Sequence, residues 1–246
     1  MRIVVALAGC LMLGCGKPSE PAPTSAPVVP AAEQFGTSAI TGQIVFKGQA
    51  PKPATIKMNA DPYCESAHSG QVTGEEVVLN ADGTLRNVFV YVKQGLPGAY
   101  PAPKEPAVID QNGCTYRPRV QGMQVGQPLL IRNSDDTLHN IHCLAEQNAA
   151  FNLGQPARGM ESKKMFTRPE VMMRFKCDVH PWMSAYIGVL EHPFFAVTGD
   201  GGAFKLEKLP AGQYLIEAWH EKYGPQQQTV TVAQDETKAI TFEFAP

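Results

Sequence analysis

The chain of 246 residues is 43% hydrophobic and 18% charged, and its 21 basic and 23 acidic residues give a formal net charge of -2. That balance, without any long basic run, excludes an electrostatic nucleic-acid binder, and no apolar run reaches the roughly 18 residues of a membrane-spanning helix. With 22 Gly and 21 Pro, the turn chemistry favours short strands over a helical bundle, and six cysteines are too few for a disulfide-dense miniprotein.

Met1-Arg2 opens the chain, followed by an apolar run from Ile3 to Gly14 and then Cys15-Gly16-Lys17. One positive charge, a short apolar stretch and small residues before a break read as an export signal. Ending that stretch at a cysteine resembles a bacterial lipoprotein signal, whose cysteine is lipidated and becomes the new N-terminus. Two cysteines compete: Leu7-Ala8-Gly9-Cys10 fits the lipobox pattern better, while Met12-Leu13-Gly14-Cys15 leaves a more workable apolar segment. Cys15 is the preferred anchor, and an ordinary cleaved signal is the alternative. Residues 16–37 carry Pro18, Pro21, Pro23, Pro27 and Pro30 among Ala, Ser and Glu. Such a segment buries no core and reads as a stalk between a lipid anchor and a folded body. The body is expected outside the cytoplasm, facing the periplasm or the cell surface, where disulfides persist.

From Ile40 onward, short apolar runs alternate with turn residues. Ile44-Val45-Phe46, Val77-Val78-Leu79, Val88 to Val92, Val108-Ile109, Leu129 to Arg132, Ile141 to Leu144, Val171 to Cys177 and Tyr186 to Leu190 are predicted strands. Spacing of this kind predicts a β-sandwich or barrel. Residues 152–168 are the least strand-like and are left as a helical turn or a long loop.

A second unit starts near Pro193. Asp200-Gly201-Gly202 and Leu209-Pro210-Ala211-Gly212 are turns, and Ala203 to Leu206, Tyr214 to Trp219, Thr229 to Val232 and Ile240 to Phe244 are strands. The run GGAFKLEKLPAGQY resembles the small transthyretin-like, or carboxypeptidase-regulatory-like, β-sandwich; the resemblance is almost silent on function. Thr41 to Val45 also resembles the first strand of such a unit, which leaves open an insertion of the first module into the second. Tandem order is preferred, with a first module over 38–192 and a second over 193–246.

The chemistry lies between His139 and Met183. Cys177-Asp178-Val179-His180-Pro181-Trp182-Met183 spaces a thiolate, an imidazole and a thioether three residues apart, just after a strand. Upstream, Asn133 to His142 supplies further imidazoles. Two imidazoles and a thiolate, with a weak axial thioether, form the ligand set of a type 1 copper site. Zinc is the rival metal, but methionine is a poor zinc ligand. Asp178 follows Cys177 directly and is expected to point away.

The loop resembles the C-x-x-H-x-x-M loop of amicyanin-type cupredoxins, including the Pro after the His, and NSDDTLHNIH resembles their first-ligand strand. The resemblance spans roughly residues 105–192. It implies that His139, Cys177, His180 and Met183 hold copper. It also implies that Asn140 ties the two ligand loops together, that Phe175 is the aromatic two residues before the Cys, and that His180 lies near the surface in an apolar patch with Pro181 and Trp182. Trp182 stands where the nearest relatives have a smaller aromatic, and residues 38–104 are additional to a minimal cupredoxin.

Other residues have plainer readings. His142 is at an odd offset from His139, so alternation puts it on the opposite face. His68 is expected to be solvated, His192 to pack at the surface or between modules, and His220 to sit at a strand end. Met173 and Phe175 share the Cys177 face. Asp135 and Asp136 read as a solvated turn, Cys143 as a buried free thiol, and Cys64 with Cys114 as the best disulfide candidates. The expected fold is all-β, a cupredoxin-like Greek-key β-sandwich followed by a small transthyretin-like β-sandwich. The expected function is electron transfer by a lipid-anchored type 1 copper protein with a redox partner protein, without enzymatic activity. Copper storage or delivery, and a carbohydrate- or protein-binding sandwich with structural copper, are the alternatives. An oxidase or nitrite reductase would need a further His-rich copper site, and only His68, His142, His192 and His220 remain for one.

Overall fold

The computed structural model describes residues 35–246; the expected signal, Cys10, Cys15 and most of the expected stalk lie outside the described residues. Among the described residues no helix is long and apolar enough to cross a membrane. β1 (Ser38–Phe46) comes first, then β2 (Thr55–Ile56), the short helix α1 (Pro62–Ser66), β3 (Val72–Thr73) and β4 (Phe89–Gln94). The central strands are β5 (Ala107–Gln111), β6 (Tyr116–Arg117), β7 (Val120–Gln124), β8 (Pro128–Asn133), β9 (His139–Leu144), β10 (Phe151–Gln155), β11 (Glu161–Met165), β12 (Glu170–Lys176) and β13 (Ser184–Leu190). β14 (Phe195–Val197), β15 (Ala203–Leu209), β16 (Gly212–His220), β17 (Gly224–Val232) and β18 (Thr237–Phe244) complete the chain.

The protein is all-β, as its sequence predicts, and builds two sandwiches. In the first, sheets β10-β9-β12-β13-β7 and β11-β8-β5-β6 face each other. Ile109, Leu129 and Ile131 from one sheet meet Ile141, Phe175 and Ile187 from the other, all fully buried. This arrangement accords with the expected cupredoxin-like sandwich. In the second, sheets β15-β1-β18 and β14-β4-β16-β17 enclose Ile40, Ile44, Val90, Ile216 and Phe242. Alternation is clean on β15 and β18, where Phe204 and Leu206, and Phe242 and Phe244, point inward between exposed neighbours.

The modules are therefore not in tandem at residues 192 and 193. β1 runs parallel to β18 from Ala39 to Phe46 and antiparallel to β15, while β4 lies between β14 and β16. Both early strands belong to the second sandwich, and the first is inserted between β4 and β14. The resemblance of Thr41 to Val45 to a first strand of the second unit pointed to this insertion, while β4, paired with β14 and β16, carries no such local mark, which is why tandem order looked simpler. Residues 152–168 also differ from expectation, because β10 and β11 occupy much of the stretch as the edge strands of their sheets. Exposed Glu161, Lys163 and Met165 give β11 the charged, weakly strand-like character of an edge. Val77-Val78-Leu79 forms no regular strand and makes only an isolated bridge from Leu79 to Leu85.

The two sandwiches lock together through aromatic rings seated on glycines. A Cβ on Gly188 would lie 2.7 Å from the Phe89 ring, and one on Gly122 would lie 2.4 Å from Phe195. Met172, with φ at 60° inside a bulge of β12, packs into the same seam instead of the inner core. The bulge restores alternation, so Met173, Phe175 and Cys177 face inward. Arg119 crosses the seam to grip Glu221 through two hydrogen bonds of 2.6 and 2.7 Å.

Candidate metal centre

His139 opens β9, and Cys177 to Met183 forms the link between β12 and β13. That link is tightly closed: the Cys177 N–H donates to the Met183 carbonyl at 3.3 Å and the Met183 N–H to the His180 carbonyl at 3.0 Å. The three-residue spacing therefore folds both Cys177 and His180 back toward His139. Nδ1 of His139 and Nδ1 of His180 lie 2.9 Å apart, and Cys177 Sγ is 4.0 Å from the latter. One ligating atom from each of His139, Cys177 and His180 falls within 4.8 Å of the others, and all three side chains are buried. Met183 is buried in the same hydrophobic cluster as Cys177 and Phe175.

Asn140 spans the two loops. Its Oδ1 accepts the N–H of Asp178 at 2.7 Å and of Val179 at 3.3 Å, and lies 3.2 Å from Cys177 Sγ. Tyr116 clamps the same strand from behind, its hydroxyl donating to the Asn140 carbonyl at 2.6 Å. Phe175 is fully buried and meets Phe151 and Phe166 edge-on.

The electrostatics prepare the site for a cation. Burial alone would push the Cys177 thiol up, but hydrogen bonds from His139, His180 and backbone N–H groups outweigh it and bring it to about 6. Burial opposes charge on His139 too, yet Asp135 and Cys177 raise it to about 9. This environment favours the thiolate that a metal–thiolate bond requires, and a metal bound here would displace the proton that Asp135 and Cys177 hold on His139. Two imidazoles, one thiolate and a thioether at hand fit copper better than zinc.

The expectation that His180 lies near the surface is overturned. Its side chain is 3% exposed. The cause is the segment 55–73, part of the stretch additional to a minimal cupredoxin, which folds over this end of the sandwich as a cap. Cys64 on α1 is joined to Cys114, and Cys64 Sγ lies 3.6 Å from His180 Nε2. Asp61, just before α1, accepts a hydrogen bond from His180 Nε2 at 3.0 Å. Trp182 leans on the His180 ring at 5.1 Å between centroids and donates its indole N–H to the Cys114 carbonyl at 2.9 Å. Of the expected patch, only Pro181 is exposed; Trp182 is half-buried.

Asp135 is also misread as a solvated turn: it is 2% exposed. It accepts from His139 Nε2 at 2.9 Å and from the N–H groups of Gly113 and Cys114 at 2.8 and 2.7 Å. Asp136 is exposed. His68 is not free in solvent but lies 2.8 Å from the Gly113 carbonyl. His142 is turned away, 3.0 Å from Asp178, which itself points out of the site. His192 packs against Tyr100 and Phe194, and His220 stacks on Tyr223. Cys143 is a buried free thiol. Asp61 went unnoticed in the sequence; an Asp before a Pro marks a helix start, but nothing local ties it to a histidine 119 residues away.

No family model and no curated protein matches the chain. Solved structures similar to it include a Cu-containing nitrite reductase from Thermus scotoductus SA-01, at 22% identity over 41% of this chain with a TM-score of 0.34. The match spans 26% of the reductase, about a quarter of its length. A reduced Cu(I) form of an amicyanin variant matches at 21% identity over 35% of this chain and 84% of its own, with a TM-score of 0.31. A purple cupredoxin from Nitrosopumilus maritimus matches at 22% identity over 34% of this chain and 98% of its own, with a TM-score of 0.30.

Proposed function

We propose that this protein carries single electrons through a type 1 copper ion held by His139, Cys177, His180 and Met183, on an extracytoplasmic, lipid-anchored body that meets a redox partner protein. The observation that carries this reading is the buried convergence of His139 Nδ1, His180 Nδ1 and Cys177 Sγ. Copper bound there would cycle between Cu(I) and Cu(II), and a frame that suits both states without moving passes an electron with little reorganisation. The chain supports such a frame: β9 and the β12–β13 link position the donors, Asn140 joins the loops, and the cap buries His180. The Cys64–Cys114 disulfide supports an oxidising compartment.

Electron transfer is favoured over delivery because the three donors are buried beneath a stapled cap, whereas a delivery site needs ligands that open to an acceptor. Voltammetry of the copper-loaded protein tests the choice. A reversible one-electron couple, with copper retained in both states, is the expected result. Loss of copper to a Cu(I) chelator on reduction would replace electron transfer by a handling role.

A further inference from the structure

We propose that Asp61 and Asp135 are positioning residues for the copper site, each holding one ligand imidazole by its Nε2–H so that both rings present Nδ1 and donate more strongly to Cu(II) than to Cu(I). This inference rests on the copper electron-transfer reading above.

An imidazole has two nitrogens, and the hydrogen bond made by one decides what the other can do. A carboxylate on Nε2–H leaves the Nδ1 lone pair for a metal, orients the ring and raises its basicity. Both rings are arranged in this way. His139 Nε2 lies 2.9 Å from Asp135 Oδ2, and His180 Nε2 lies 3.0 Å from Asp61 Oδ2. The two Nδ1 atoms then point at one another across 2.9 Å. Neither carboxylate is free to swing. Asp61 also accepts from the N–H groups of Tyr63 and Cys64 at 2.8 and 3.3 Å and from the Thr137 hydroxyl at 2.8 Å. Asp135 accepts from the N–H groups of Gly113 and Cys114, and from the Tyr63 hydroxyl at 3.1 Å.

The two arms are mechanically joined. The Cys64 N–H serves Asp61, the Cys114 N–H serves Asp135, and a disulfide links the two cysteines. Tyr63 touches both carboxylates, one through its backbone and one through its hydroxyl. Two anions facing the site from beyond the rings favour the more positive oxidation state, so the cap, through Asp61, acts on the redox couple and does not merely cover it.

The test compares copper-loaded wild-type protein with Asp61→Asn, Asp135→Asn and the double variant; Asn keeps the shape and an acceptor oxygen but removes the charge. The variants should retain the copper–thiolate colour. Their Cu(II) dissociation constants should rise by roughly 10–100-fold, with a smaller change for Cu(I). Each tenfold gain in the Cu(II)-over-Cu(I) difference raises the potential by about 59 mV. Should a variant fail to fold, nitrogen NMR of the wild-type Cu(I) form gives the answer: both Nε2 protons should be present and protected from exchange. Unchanged potentials in coloured variants, or Nε2 protons that exchange freely, would overturn the proposal and leave the copper reading intact. A wild-type protein that takes up no copper would overturn both.

Discussion

Cys64 Sγ rests 3.6 Å from His180 Nε2, so the disulfide that closes the cap lies directly against the centre beneath it. A cupredoxin-like reading of the ligand loop implies an exposed second histidine. Here that ring is enclosed by Asp61, Cys64 and Trp182.

The first prediction concerns that staple. Replacing Cys64 and Cys114 together by Ala should destabilise the protein by about 2–4 kcal/mol, mainly by freeing the unfolded chain, as urea unfolding would show. The cap should also loosen, so His180 should react faster with a histidine acylating reagent than in the native protein. An unchanged urea midpoint, or a His180 that stays protected, would show that the cap holds without its disulfide.

A second prediction concerns the seam between the sandwiches. Gly188→Ala would force a Cβ to within 2.7 Å of the Phe89 ring, an overpacking that costs about 1–3 kcal/mol. Phe89→Leu in that background should recover part of the loss, because the two positions are in contact and couple. Strict additivity in the double-mutant cycle would refute the seating of the ring on the glycine.

Much of this architecture was open to sequence reasoning, and the remainder was closed to it for identifiable reasons. Cys177, His180 and Met183 stand on one short link, and His139 on a strand with regular alternation, so local spacing was enough to nominate them. His142 was separable from His139 by the same alternation. The two carboxylates were not legible: Asp61 reaches His180 across 119 residues, and Asp135 looked like half of an acidic turn until the Gly113–Cys114 backbone closed over it. The insertion was legible only in part: Thr41 to Val45 on β1 resembled a first strand of the second unit, but only the partner β16 assigns β4 to that sandwich.

A third prediction concerns acid stability. Burial holds His220 at about 4, with Glu76 opposing and Arg119 and Lys222 assisting. The unfolded chain takes up this proton near pH 6.5, whereas the folded protein resists until about 4. Because this folded pKa is lowered, the unfolded state binds more protons in that window, and stability falls as pH drops from about 6.5 to 4. The full effect is on the order of 3 kcal/mol. His192, also held at about 4 by burial, contributes a similar slope. His220→Phe should therefore make the pH dependence measured by urea unfolding between pH 7 and 4.5 shallower than in the wild type. A variant with the wild-type slope would contradict the assignment.

Whether His139, Cys177, His180 and Met183 hold copper is decided by the visible spectrum of the oxidised, copper-loaded protein. An intense thiolate-to-copper charge-transfer band is expected at one copper per chain. That band should be abolished by Cys177→Ser and nearly unchanged by His142→Ala, whose side chain is turned toward Asp178. Met183→Leu should keep the colour and raise the potential, because losing a weak axial donor disfavours Cu(II) more than Cu(I). A colourless protein that prefers zinc, or a coloured one indifferent to Cys177, would contradict this copper assignment.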